Sequence, residues 1–179
     1  MSERLTRRRN RLRYPGHDYA QPGAVFVTIC MNGRQRLLGE VRNGKMQLTE
    51  FGHLVVGTWQ RIPTKYPEIG LDSFMVMPDH VHGIVFTGIQ PDHNQKAAPV
   101  GDAVRWFKNV TIRGYRNGVV NDGWLPYERH LWQDKFYDHI IRTAREMTLI
   151  RSYIERNPER WWEPPTIWEL PDDGRQAPS

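Results

Sequence analysis

Apolar and polar positions alternate along this chain in a way that predicts a series of short elements. Ala24-Val-Phe-Val-Thr-Ile-Cys30 is β-branched and apolar, and predicts a buried first strand. Between Arg36 and Leu48 short apolar stretches flank Asn43-Gly44, a two-residue turn that predicts a hairpin. Thr49 can cap a helix whose apolar positions, Phe51, Leu54, Val55, Trp59 and Ile62, recur at helical spacing, with Pro63 as its stop. A second strand pair, Leu71 to Met77 and Val81 to Phe86, meets at Pro78-Asp79. Residues 88–100 have no periodicity and read as a loop. A second helix follows over residues 101–116, with Ala103, Phe107, Val110 and Gly114 on its apolar face. Beyond an irregular stretch, 117–131, a short strand is expected near Leu131–Phe136.

The last helix begins at Thr143, with Glu146 three positions on as a capping box, and carries Met147, Ile150 and Ile154 as its apolar stripe. Asn157-Pro158 ends it. No internal repeat is visible. Strands, helix, strands, helix, strand and helix in this order predict an α+β fold of ferredoxin-like or RRM-like type, an antiparallel sheet with helices packed mainly on one face.

Charge adds an uneven distribution to that picture. The net charge is +5, and residues 1–13 hold six arginines (Arg4, Arg7, Arg8, Arg9, Arg11, Arg13) against Glu3. Residues 159–179 carry five acids and two arginines. The chain therefore divides into a basic arm (1–13), a folded body (14–162) and an acidic, proline-rich tail (163–179). Such a gradient points to a polyanionic partner, although an arginine arm also serves simply to solubilise a protein. On the second helix Arg105, Lys108, Arg113 and Arg116 fall within an arc of about 140°, a stripe that suits either a phosphate backbone or a solvated face. The single cysteine, Cys30, excludes an intramolecular disulfide and fits a reducing cytoplasm. No apolar run reaches membrane-spanning length, and no secretory signal opens the chain.

Two local patterns carry chemistry. In Met77-Pro-Asp-His-Val-His-Gly-Ile-Val85, strand alternation projects His80 and His82 from one face and turns Val81 into the core. Two imidazoles on a rigid strand make half of a metal site, although paired histidines also occur as ordinary partly buried residues. Gly83 beside them leaves room for a close approach. On the last helix Tyr153 and Asn157 lie one turn apart on the same face, with Tyr153 on the shoulder of the apolar stripe. A rim tyrosine and a helix-ending asparagine would look the same. Tyr137, in a FYDH stretch with His139, is followed at i+4 by Ile141, which cannot bind metal. Trp106, Trp124 and Trp132 are candidates for stacking on bases, with core packing as the alternative.

Together these patterns resemble the single-tyrosine transposases of the HUH endonuclease superfamily, specifically the REP-associated tyrosine transposases. The resemblance runs from Tyr14 to Trp162. It rests on RYPGHDYAQPGAVFVTI, on FMVMPDHVHGIV and on LWQDKFYDHIIRTAREMTLIRSYIERNPERW. It implies a metal-dependent single-stranded DNA endonuclease and strand transferase, with Tyr153 as nucleophile forming a 5′-phosphotyrosine. It implies His80, His82 and Asn157 as ligands of Mg²⁺ or Mn²⁺, where imidazole alone would suggest zinc. The implied partner is single-stranded DNA folded into REP-like hairpins, and charge alone marks Arg7, Arg8, Arg9, Arg11, Arg105, Lys108, Arg113 and Arg116 as the residues expected to contact it. A cytoplasmic, nucleoid-associated monomer or homodimer is expected, with no membrane. A replication initiator or relaxase of the same superfamily, a non-catalytic nucleic-acid-binding domain and a zinc hydrolase are the competing classes.

Overall fold

The structure, a computed structural model, describes residues 23–88 and 100–162. The basic arm with Arg7, Arg8, Arg9 and Arg11, most of the predicted 88–100 loop and the acidic tail lie outside the described residues. Strand β1 (Gly23–Cys30) leads through a tight turn to a hairpin of β2 (Gly39–Arg42) and β3 (Lys45–Leu48). Helices α1 (Glu50–Gln60) and α2 (Ile62–Lys65) follow, then β4 (Gly70–Met77), β5 (His80–Thr87), α3 (Val100–Asn121), β6 (Tyr137–Ile141) and α4 (Ala144–Arg156).

Four strands form one antiparallel sheet in the order β4-β5-β1-β6, and β2-β3 stands apart as its own pair. Setting aside that hairpin, the succession strand, helix, strand, strand, helix, strand with the first strand inside the sheet is the ferredoxin-like arrangement that the sequence predicts. β1 takes a central place because both its faces are apolar, and it is buried continuously from Ala24 to Ile29. One face, with Val25, Val27, Ile29, Val81 and Val85, packs under α1 and α3 through Val55, Trp59, Val104 and Phe107. The other face, with Ala24, Phe26 and Ile84, receives α4 through the fully buried Ile150 and Ile154. Burying side chains of this size stabilises by roughly 1.5–3 kcal/mol each. Those two residues therefore dock the helix.

Local chemistry explains most element ends. Thr49 caps α1 by accepting a hydrogen bond from the Gly52 amide, and Asn43 and Gly44 take the left-handed backbone that their hairpin turn needs. At α4 the capping box is made: Thr143 accepts from the Glu146 amide, and the Glu146 carboxylate accepts from the Arg142 amide at 2.7 Å. Burial works against the carboxylate, but these bonds and the neighbouring His139 outweigh it and leave the Glu146 pKa below its usual value.

Three elements depart from the sequence expectation. Pro63 does not simply stop a helix; it sits in the first turn of α2, where its missing N–H costs nothing. α3 runs five residues beyond 116, because its last turn packs on tertiary partners. Gly118 lies flat against the Trp124 ring, where any Cβ would collide. The buried line of this helix passes through Val104, Phe107, Thr111 and Tyr115, with Val110 and Gly114 on its flank. The final strand is β6, later than 131–136. It begins at Tyr137, where pairing with Thr28 starts, and the earlier segment contributes only a bridge between Met31 and Trp132. Trp132 is buried in the core, and Trp106 and Trp124 pack against it.

Two contacts position the elements that carry the candidate chemistry. Gly83 of β5 lies beneath the Trp59 ring, which stacks on Phe74 with centroids 4.5 Å apart. On edge strand β4 a register shift between Leu71 and Phe74 frees Asp72 to meet α4, where Arg151 donates two hydrogen bonds to its carboxylate at 2.8 and 2.7 Å. The Arg151 bonds, aided by the Ser73 amide, lower the Asp72 pKa to about 2.

Gly83→Ala should press a methyl group into the Trp59 ring and destabilise the protein by ~1–3 kcal/mol, read from the urea midpoint. The Asp72–Arg151 pair should give an acid-dependent stability. Its contribution is complete above the unfolded carboxylate pKa near 3.8 and is lost as pH falls through about 2, because the folded form resists protonation. Thermal melts between pH 5 and 2 should show wild type losing its advantage over Asp72→Asn across that window. Parallel curves would remove this role from Asp72.

Candidate functional site

The site forms on the sheet face that α4 only partly covers. Cross-strand pairing sets Thr28 opposite His82 and Cys30 opposite His80, so four side chains of β1 and β5 share that face. The two histidines are buried, at 7% and 1% exposure, and their Nε2 atoms converge to 2.9 Å. Each ring is held from behind. His80 Nδ1 lies 2.5 Å from Asp79 Oδ1, and His82 Nδ1 lies 2.8 Å from Thr28 Oγ1. An ionised carboxylate only accepts, so the His80 proton resides on Nδ1 and its Nε2 keeps a lone pair. The threonine hydroxyl both donates and accepts, so it supports either tautomer of His82.

Burial disfavours the charged form of both rings. Burial lowers the pKa of His80, and the Asp79 carboxylate only partly restores it. Burial lowers that of His82 further, reinforced by the charge on His80 and Arg34. Neutral imidazoles with their Nδ1 atoms engaged and their Nε2 atoms facing one another are the donor form a metal ion takes. Their 2.9 Å separation is close to the spacing of adjacent ligands about 2.1 Å from a six-coordinate ion. The pair therefore fits a divalent ion. Among the described residues no third His, Cys, Asp or Glu joins it.

Tyr153 lies beside His82. Its ring centroid is 5.3 Å from that of His82 and 6.1 Å from that of Phe26, which itself stacks on His82 at 5.4 Å. Burial raises the phenol pKa, while a hydrogen bond with the Asn157 side chain and the charges of Arg160 and Arg34 pull the other way. Asn157 keeps helical backbone angles (φ −57, ψ −41) although proline follows it, so the i, i+4 relation to Tyr153 holds. Tyr137 occupies the same sheet face, opposite Thr28, and its ring lies 6.5 Å from Phe26. Burial raises its pKa as well, with Asp138 adding to the effect.

Neither periodicity nor motif singles out four residues that border the site: Thr28, Asp79, Arg34 and Trp161. Asp79 reads only as part of a turn, and Thr28 only as a strand residue. Trp161 stacks on His80 at 6.2 Å, and the Arg36 guanidinium lies over the Trp161 ring, 5.4 Å from its centroid. Next to it Trp162 is 73% exposed. The signals were the residue preceding His80 and the β1–β5 register, which becomes available only once the strands are paired.

The cationic stripe of α3 is divided. Arg105, Arg113 and Arg116 are exposed on the helix. Arg105 pairs with Asp102, and Arg116 donates to the Tyr127 hydroxyl. The Lys108 ammonium is instead directed at the backbone carbonyls of Gln133, Asp134 and Lys135, and burial lowers its pKa to about 8. Among the described residues no helix is long and apolar enough to cross a membrane.

The chain is 30% identical over 169 residues to an uncharacterized protein of Haemophilus influenzae, covering 86% of this chain and 89% of that one. Its fold is similar to the structure of a REP-associated tyrosine transposase bound to a REP hairpin, with a TM-score of 0.56 and 19% identity over 83% of this chain and 74% of the other. Residues 58–157, which include the paired histidines, the tyrosine and Asn157, match the family described as "Transposase IS200 like". This chain belongs to the IS200-like transposase family.

Proposed function

We propose that this transposase is a metal-dependent single-stranded DNA nickase and strand transferase in which Tyr153 is the nucleophile. The observation that carries the reading is the Tyr153 ring set 5.3 Å from His82, on the face where the two Nε2 atoms converge. His80 and His82 would hold a divalent ion, Mg²⁺ or Mn²⁺, with the Asn157 carbonyl oxygen as a further hard ligand. Such an ion supplies Lewis-acid stabilisation of charge on the scissile phosphate.

The protein's own groups account for the remaining requirements. Phe26 and the helix α4 hold the Tyr153 ring against the histidines, so attack on phosphorus is prepositioned. A phenol of pKa about 10 is mostly protonated at pH 7, and burial raises Tyr153 further. The hydrogen bond with Asn157 and the nearby arginines favour the phenolate and offset that cost in part. Attack forms a tyrosine–phosphorus ester at the 5′ side and releases a 3′-hydroxyl. The ester conserves the phosphodiester bond, so a second 3′-hydroxyl can reverse the step and join strands.

The structural neighbour holds a REP hairpin, and a hairpin-bearing single strand is the substrate we assign here. Arg105, Arg113 and Arg116, with Arg7, Arg8, Arg9 and Arg11 of the arm, would contact its phosphates. Lys108 would act behind them by holding segment 133–135. The arrangement suits a cytoplasmic, nucleoid-associated protein acting as monomer or homodimer.

Incubation with hairpin-bearing single-stranded DNA and Mn²⁺ should give a covalent protein–DNA adduct on denaturing gels. Tyr153→Phe should abolish it and Tyr137→Phe should leave it; the reverse pattern would transfer the role to Tyr137. Cleavage without any adduct would favour a water nucleophile. Replacing Arg105, Arg113 and Arg116 by alanine should flatten the dependence of log affinity on log salt by about 0.7 for each lost phosphate contact. An unchanged slope would return that stripe to solvent.

A further inference from the structure

Directly after β1 the chain turns through Asn32-Gly33-Arg34, where Gly33 and Arg34 both take left-handed backbone, at φ 61 and φ 56. Glycine adopts that region freely, but for a residue with a Cβ it is uphill and persists only where surrounding contacts hold it. Here the contacts belong to the candidate site. Arg34 Nε donates to Asp79 Oδ2 at 3.0 Å, and Nη1 donates to Cys30 Sγ at 3.2 Å. Asp79 thus bridges two groups, with one oxygen on His80 Nδ1 and the other on Arg34.

The Arg34 side chain remains 46% exposed, and among the described residues no hydrogen bond is made from its Nη2. Its charge is felt by Tyr153, by both histidines and by Cys30. Asp79 answers part of that charge from one side, and a phosphate oxygen at the unengaged Nη2 would answer it from the other. The guanidinium is a phosphate-binding group, and here Nε and Nη1 are engaged while the Nη2 side is open.

We propose that Arg34 is a catalytic residue that binds a non-bridging oxygen of the scissile phosphodiester. The proposal rests on the reading of Tyr153 as nucleophile. In the step it serves, the Tyr153 oxygen bonds to phosphorus and the bond from phosphorus to the 3′ oxygen breaks. The phenolic proton is balanced by the one taken up by the departing 3′ oxygen. Negative charge that grows on the non-bridging oxygens meets the open edge of Arg34. Asp79 keeps that edge aimed while it orients His80, so one carboxylate aligns both halves of the site.

The test uses the full chain and a hairpin oligonucleotide that wild type joins to Tyr153. A second version carries a methylphosphonate at the scissile linkage, as separated diastereomers. Arg34→Ala should slow single-turnover adduct formation by about 10²–10³-fold, with partial recovery in Arg34→Lys. One methylphosphonate diastereomer should slow wild type strongly yet add little to the Arg34→Ala defect, because the lost oxygen and the lost donor are partners. In EDTA, Arg34→Ala should bind the unmodified oligonucleotide about tenfold more weakly. Mn²⁺ affinity, read by electron paramagnetic resonance, should stay within about twofold of wild type, since the ligands are untouched.

Additive defects, a rate within about threefold of wild type, or Mn²⁺ affinity falling in step with rate would each overturn the proposal. The last would mean that Arg34 acts only through Asp79 and His80. If the alanine variant does not fold, Arg34→Lys supplies the same cycle. Wild type that forms no adduct at Tyr153 would sink the nucleophile assignment and this proposal with it. An adduct unaffected by Arg34 replacement would sink the proposal alone.

Discussion

The antiparallel ladder between β1 and β5 is the constraint on which the site depends. Its register places Thr28 across from His82 and Cys30 across from His80, and a shift of one residue in β5 would turn both histidines to the face away from Thr28 and Cys30. Alternation then separates two tasks along the same strands. Val25, Val27, Ile29, Val81 and Val85 build the core under α1 and α3, while Phe26, Thr28, His80 and His82 build the chemistry. The apolar face fixes the register, and the register fixes the polar face.

Burial gives that polar face its character. Two histidines removed from water lose proton affinity, and Asp79 and Thr28 engage the nitrogens that point away from the centre. The result is a pair of neutral donors with little freedom to rotate, a rigid arrangement before any ion or nucleic acid arrives. Gly83 contributes indirectly. By admitting the Trp59 ring beneath β5 it lets α1 approach the sheet closely, just behind the histidines.

α4 supplies the other half. A capping box starts it, Ile150 and Ile154 press it onto the exposed face, and Arg151 ties it to the irregular edge strand through Asp72. These contacts are shared along three turns and lie away from the histidines themselves. The tyrosine can therefore hold its place without a direct bond to them. Asn157 keeps its helical geometry although proline follows, and this extends the helix far enough for its side chain to reach Tyr153.

The chain's own pattern determined the strand and helix succession, the sheet class, the capped starts of α1 and α4, and the pairing of His80 with His82 on one face. Each follows from local periodicity or from a short-range hydrogen bond, which neighbouring residues specify without help. Where α3 ended, where β6 began and which cations stayed exposed were decided by packing. Gly118 meets Trp124 from the segment after the helix, and Tyr137 opposite Thr28 and Lys108 on three carbonyls join residues far apart in the chain. Thr28, Arg34 and Trp161 reach the histidines in the same way. A side chain's role at the site depends on which strand lies beside it, and no spacing along one strand records that.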